Sequence, residues 1–212
     1  YFQRLREICD KYDILLMLDE VMVGFGRTGK WFAIEHYDVV PDVMSLAKGI
    51  TCGYVPLGCV AISDRIMDKL DQERLYAGLT YNSHPMGCAT GSAVLQVYHD
   101  EKLVENSAKL GLVLKARLEE LKALHPCGGD VRAKGLFSCL ELVTDRETKE
   151  PLPVAISGGI RQRLLDRGLS TNVMHHLLFV GPPLIITESE LMTGLSIIDG
   201  LLAEIDQEIS SR

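Results

Sequence analysis

The sequence predicts an α/β layered fold followed by a smaller α+β domain. Three observations carry that expectation: short apolar runs that end abruptly in polar residues, helical patterns alternating with them, and a change of organisation near residue 100. Residues 2–12, F-Q-R-L-R-E-I-C-D-K-Y, read as an amphipathic helix with its own solvated face. Residues 14–18, I-L-L-M-L, form a continuous apolar run closed by Asp19 and Glu20, the pattern of a parallel strand buried on both faces. A glycine-rich loop follows, then a helical turn over 32–36 and a turn at Val39-Val40-Pro41-Asp42. Residues 43–47 read as a second short buried strand, broken by Lys48-Gly49, and residues 58–62 as a third. Ser63-Asp64 is positioned to cap a helix over 65–70, and residues 85–100 make a helix of small and apolar side chains.

A long helix is expected over 102–124, with Leu103, Leu110, Leu114, Leu118 and Leu121 on one side and His125-Pro126-Cys127-Gly128-Gly129 as its stop. Then come a strand at 135–143, a polar turn at 144–150, a helix near 156–167, a strand at 177–180 and a terminal helix from Glu188. The domains are drawn accordingly at 1–99 and 100–212, with the linking helix in the second. No internal repeat or low-complexity segment interrupts them.

The 212 residues are 47% hydrophobic and 24% charged, an ordinary globular balance. A net charge of -7 argues against nucleic acid or an anionic membrane as the main partner. No run of apolar residues is long enough to span a bilayer. The six cysteines contain no C-x-x-C pair, so neither a zinc site nor a disulfide framework is expected, and a reducing cytoplasmic location fits them. The chain opens at Tyr1, without Met and already inside a helical pattern, and reads as the middle of a longer protein.

The loop after the first strand matches two nucleotide templates. Gly24, Gly26 and Gly29 spell G-x-G-x-x-G, and Gly24 to Lys30 spell G-x-x-x-x-G-K. A triphosphate loop needs a metal-ligating hydroxyl after its lysine, and Trp31 stands there. A dinucleotide loop needs its first glycine directly after the strand, but five residues beginning with Asp19-Glu20 intervene, and their charge repels a pyrophosphate. Both matches are read as chance.

An acid and a lysine at strand ends matter more. Asp19 follows the first strand and Lys48 the second, so in a parallel sheet both emerge at the carboxyl edge, where α/β folds bind ligands. A plain Lys–Asp ion pair is one reading. The other is pyridoxal phosphate chemistry, in which a lysine forms a Schiff base with the cofactor aldehyde and a carboxylate keeps the pyridine nitrogen protonated.

The ordered set L-D-E-V-M-V-G-F-G-R-T-G, D-V-M-S-L-A-K-G-I, G-L-T-Y-N-S-H-P and, at 181–187, G-P-P-L-I-I-T resembles the class III aminotransferases of the ω-amino-acid type, which have the type I fold of the pyridoxal-phosphate-dependent transferases. The resemblance implies that Lys48 is the Schiff-base lysine and Asp19 the ring-nitrogen partner, with pyridoxal 5'-phosphate as cofactor. It further implies that Val21 packs on a ring face, that Met22 lies near the phenolic oxygen where some members carry Gln, and that Thr80 reaches the cofactor phosphate of a neighbouring subunit in a homodimer. Phe179 stands where ornithine-type members carry a carboxylate-gripping arginine. The adjacent His175 and His176 read as solvated residues at a strand start. The implied reaction moves an amino group from an amine or ω-amino acid, such as taurine or β-alanine, to a 2-oxo acid such as pyruvate. The resemblance covers the latter half of the family's chain, whose first half normally supplies a phosphate-binding turn and a stacking aromatic. Its absence would leave residues 14–18 with exposed neighbours and an aggregation risk. A non-catalytic fragment or dimerising remnant is the alternative.

Overall fold

A computed structural model describes residues 1–72 and 78–211. The chain divides into two compact units, Tyr1–Glu105 and Asn106–Arg212. In the first, helix α1 (Phe2–Lys11) precedes strand β1 (Met17–Asp19), and β1 pairs in parallel with β2 (Val43–Leu46). β3 (Cys59–Ile62) runs antiparallel to β2, so the order is β1-β2-β3. Helices α2 (Asp64–Leu70) and α3 (Pro85–Asp100) follow. Cys9, Leu16, Ile34 and Val39 form a small core, with Phe2, Leu18, Phe32 and Met44 against it.

Two expectations for this unit need correction. Residues 14–18 are not a strand buried on both faces: only Met17 and Leu18 belong to β1, and Ile14, Leu15 and Met17 are 52%, 46% and 68% exposed. The reason is position, since β1 lies at the end of the three-strand order and pairs only with β2 among the described residues. Ser63 stands at the N-cap of α2, but its hydroxyl makes no capping bond and is buried without a partner among the described residues.

Asp42, on the turn before β2, ties the unit together. Its Oδ2 accepts bonds from the Leu16 N–H (2.8 Å) and the Arg6 guanidinium (2.7 Å), and Arg65 approaches Oδ1 at 3.6 Å. Burial alone would raise the Asp42 carboxyl, yet the Leu16 N–H and Arg6 outweigh it and hold the group below its ordinary value of 3.8. Its contribution is therefore complete above that value and is lost as pH falls through the lower folded value. Asp42→Asn is expected to cost about 2 kcal/mol at neutral pH, the scale of a hydrogen bond to a charged group. Urea midpoints of the two proteins should converge as the pH drops below 3.8.

In the second unit, α4 (Leu103–Leu124) buries Leu110, Leu114, Leu118 and Leu121 at helical spacing. The sheet has the order β4-β5-β8-β7, from β4 (Gly128–Lys134), β5 (Phe137–Asp145), β7 (Val173–Met174) and β8 (Leu177–Val180), with β6 (Glu150–Pro151) pairing β5. β4 is a strand that the sequence reading missed, because G-G-D-V-R-A-K offers only one large apolar residue. The helix expected over 156–167 is two short ones, α5 (Val154–Ser157) and α6 (Ile160–Asp166), parted at Gly158-Gly159. Terminal α7 (Glu188–Ser210) opens with a capping box: the Glu190 N–H donates to the Thr187 hydroxyl, and the Glu190 carboxylate accepts the Thr187 N–H. His125 joins α4 to α7, with Nδ1 2.8 Å from Asp206 Oδ2 and Nε2 2.9 Å from Asp199 Oδ1. Arg146 donates to the Lys122, His125 and Gly128 carbonyls and so caps the end of α4.

Candidate active site

The parallel ladder pairs Asp19 with Ser45, and the Glu20 N–H continues it to the Ser45 carbonyl (3.0 Å). Lys48 comes three residues after Ser45, at the start of a 3-10 turn (Lys48–Ile50). Asp19 and Lys48 therefore leave the same edge of the sheet. Lys48 Nζ lies 2.7 Å from the Sδ of Met22, three residues beyond Asp19. No ion pair joins Lys48 to Asp19 or to any other acid among the described residues. Instead Asp19 Oδ1 accepts the Val21 N–H at 2.9 Å. The plain ion-pair reading thus fails, and the amine and the second carboxylate oxygen stay available.

Lys48 has φ +45°, a left-handed conformation that a residue with a Cβ keeps only when its neighbours enforce it. The neighbours here are aromatic. Phe25 packs so close to Gly49 that a Cβ there would fall 2.7 Å from Phe25 Cβ. The hydroxyl of buried Tyr98 donates to the Gly49 carbonyl at 3.4 Å, and Trp31 lies over Tyr98 with ring centroids 5.8 Å apart. Burial pushes the Tyr98 hydroxyl up, and burial pulls the nearby Arg27 guanidinium down.

The glycine loop is not a phosphate cradle. The Gly26 N–H donates to the Trp31 carbonyl (3.3 Å) and the Gly29 N–H to the Gly26 carbonyl (2.9 Å), so these donors are spent within the loop. Glu20, the acid next to Asp19, is 3% exposed. Its carboxylate accepts the Ala33 N–H (2.9 Å) and the Ile34 N–H (2.8 Å).

Of the remaining expected residues, Val21 is half-buried beside Asp19 and Met22 touches Lys48. Thr80 is exposed in a turn closed by the Asn82 N–H on the Leu79 carbonyl, and it makes no hydrogen bond to Asp19 or Lys48. In the second unit Phe179 pairs with Cys139 in the ladder. His175 is exposed, and His176 Nε2 lies 3.5 Å from Glu141 Oε1. Sequence reasoning missed the clamp of Phe25, Tyr98 and Trp31. The lone tyrosine on a helix of small residues was its one legible sign.

The fold is the type I fold of the pyridoxal-phosphate-dependent transferases, as similar solved structures show. The taurine:2-oxoglutarate aminotransferase from Bifidobacterium kashiwanohense, solved in complex with PLP and glutamate, superposes with a TM-score of 0.94 at 41% identity, covering 99% of this chain and 48% of that one. An (S)-enantioselective ω-transaminase from Thermomicrobium roseum gives 0.91 at 36% identity, covering 97% and 46%. The chain belongs to the class III aminotransferases, whose family model matches residues 1–202. Taurine–pyruvate aminotransferase of Bilophila wadsworthia is 35% identical over 221 residues, 98% of this chain and 48% of that protein. Putrescine–pyruvate aminotransferase of Pseudomonas aeruginosa is 38% identical over 194 residues, 90% and 42%. The chain thus spans about half the length of the relatives it matches.

Proposed function

We propose that this chain carries the lysine and the ring-nitrogen acid of a pyridoxal-5'-phosphate-dependent transaminase. The observation that carries the reading is the shared carboxyl edge: Asp19 and Lys48 follow parallel paired strands, and Lys48 Nζ reaches the segment just beyond Asp19. The donor set fits the cofactor. An exposed primary amine suits an aldehyde, and a carboxylate with one oxygen unbonded among the described residues suits a protonated pyridine nitrogen; among the same residues the amine has no ion-pair partner. When bound, the cofactor supplies a ring that accepts the electrons of the substrate Cα–H bond. Lys48 Nζ would hold the cofactor through its aldehyde and, once free, would be the base that moves the proton at the substrate Cα. Asp19 Oδ2 would keep the ring nitrogen protonated, Val21 would support the ring, and Met22 would stand near its phenolic oxygen. Thr80 reaches the phosphate of a partner subunit in a homodimer with shared sites. Residues 1–99 then form the latter half of the cofactor-binding domain and 100–212 the small domain.

The amino donor is an amine or ω-amino acid of the taurine or β-alanine kind, and the acceptor is a 2-oxo acid, with pyruvate preferred. Relatives named for taurine, putrescine and pyruvate support that choice, and one named for 2-oxoglutarate marks its competitor. The six cysteines, all free, fit a cytoplasmic protein. Among the described residues no helix is long and apolar enough to cross a membrane.

Mixing the chain with pyridoxal 5'-phosphate tests the reading. A visible absorption band that borohydride abolishes and Lys48→Ala lacks is the expected result. No band in the unaltered chain assigns it to the alternative, a non-catalytic or dimerising remnant.

A further inference from the structure

The contact of Lys48 Nζ with a thioether has a chemical consequence of its own. We propose that Met22 is a peroxide-sensitive modification site, and that its sulfoxide holds Lys48 as the ammonium and slows its reaction with aldehydes. The inference rests on the reading of Lys48 as the aldehyde-binding amine.

Met22 Sδ lies 2.7 Å from Lys48 Nζ, and Met22 is 55% exposed, so an oxidant reaches the sulfur without unfolding the chain. A thioether is a weak hydrogen-bond acceptor. With hydrogen peroxide the sulfur lone pair attacks one peroxide oxygen. The O–O bond breaks as the S–O bond forms, the departing oxygen takes the proton, and water leaves. Sulfur is oxidised by two electrons and the peroxide is reduced. The new oxygen is a polar acceptor one bond from Sδ and within reach of Nζ. Its hydrogen bond to the ammonium is charge-assisted, whereas its bond to a neutral amine is not. Imine formation needs the neutral amine, so the reactive fraction falls. No carboxylate masks the effect, because Lys48 forms no ion pair among the described residues. The change is reversible in principle, since sulfoxide reductases return the thioether.

The test uses the whole chain, treated with hydrogen peroxide or left untreated. Peptide masses first locate the added oxygen on Met22. The rate at which pyridoxal 5'-phosphate followed by borohydride labels Lys48 is then measured against labelling of Lys30 on the same molecules. Oxidation is expected to slow Lys48 about tenfold, the change one charge-assisted hydrogen bond of ordinary strength produces. Methionine sulfoxide reductases A and B should restore the rate. Met22→Leu, compared with its own untreated sample, should not respond to peroxide, although its other methionines and all six cysteines remain. An unchanged Lys48 rate once Met22 carries the oxygen overturns the inference alone, as does failure of Met22 to oxidise or an equal slowing in Met22→Leu. Labelling of Lys30 but never of Lys48, even before peroxide, defeats the reading of Lys48 and the inference with it.

Discussion

Lys48→Ala is expected to abolish transamination when this segment is assayed in a chain of its relatives' full length. Turnover should fall by about four orders of magnitude, because the variant loses both the aldehyde-binding amine and the group that moves the Cα proton. Lys48→Arg should be equally inactive. It keeps a positive charge at the same edge, but a guanidinium stays protonated and forms no imine. The pair separates the two things a lysine offers, charge and nucleophilicity. Steady-state assays with an ω-amino acid and pyruvate measure both variants, and near-normal turnover in either removes Lys48 from the chemistry. The strained turn matters as well as the side chain. With φ +45° at Lys48, and with Phe25 and Tyr98 against Gly49, the amine is presented by a backbone that its neighbours hold in place.

Gly111→Ala carries the largest expected loss of stability in the second unit. A Cβ at Gly111 would clash with Gly135 Cα and would stand 2.5 Å from its carbonyl carbon and 2.7 Å from its oxygen. All three are backbone atoms, so no rotamer change relieves the overlap. Gly135 has φ +55° and sits in the tight connection between β4 and β5. The adjoining Leu136 N–H donates to buried Ser107 at 3.3 Å and fixes the same approach. Alanine gains roughly 1 kcal/mol over glycine inside a helix, so the sign rests on which effect is larger. Separating α4 from the turn disrupts the layer of Leu110 and Leu114, and the net cost should be about 3 kcal/mol. Urea denaturation measures it. A variant as stable as the parent would mean that the helix and turn do not meet this closely.

Local pattern made much of this fold legible. Pro85–Asp100 emerges with the bounds its punctuation indicates, and α7 begins at Glu188 where Thr187 and Glu190 supply a capping box. What stayed hidden depends on distant neighbours. The apolar run at 14–18 looks doubly buried because its composition is that of a covered strand, yet among the described residues β1 has a neighbouring strand on one side only. β4 lacked a pattern because its contacts to β5 come from backbone pairing more than from large side chains. At the candidate site, Asp19 and Lys48 were readable because strand ends announce themselves. The inward turn of Glu20 was not, since it depends on amides thirteen and fourteen residues away. The Met22–Lys48 contact was equally invisible, because it joins two loops from adjacent strands.

The central claim is that one amine and one carboxylate at the edge of this sheet grip opposite ends of the same heterocycle. A crystal structure of the chain soaked with pyridoxal 5'-phosphate tests it most directly. Unbroken density from Lys48 Nζ to the cofactor is expected, with Asp19 Oδ2 at hydrogen-bond distance, about 3 Å or less, from the ring nitrogen. A ring seated elsewhere, or seated here with Asp19 turned away from its nitrogen, would contradict it.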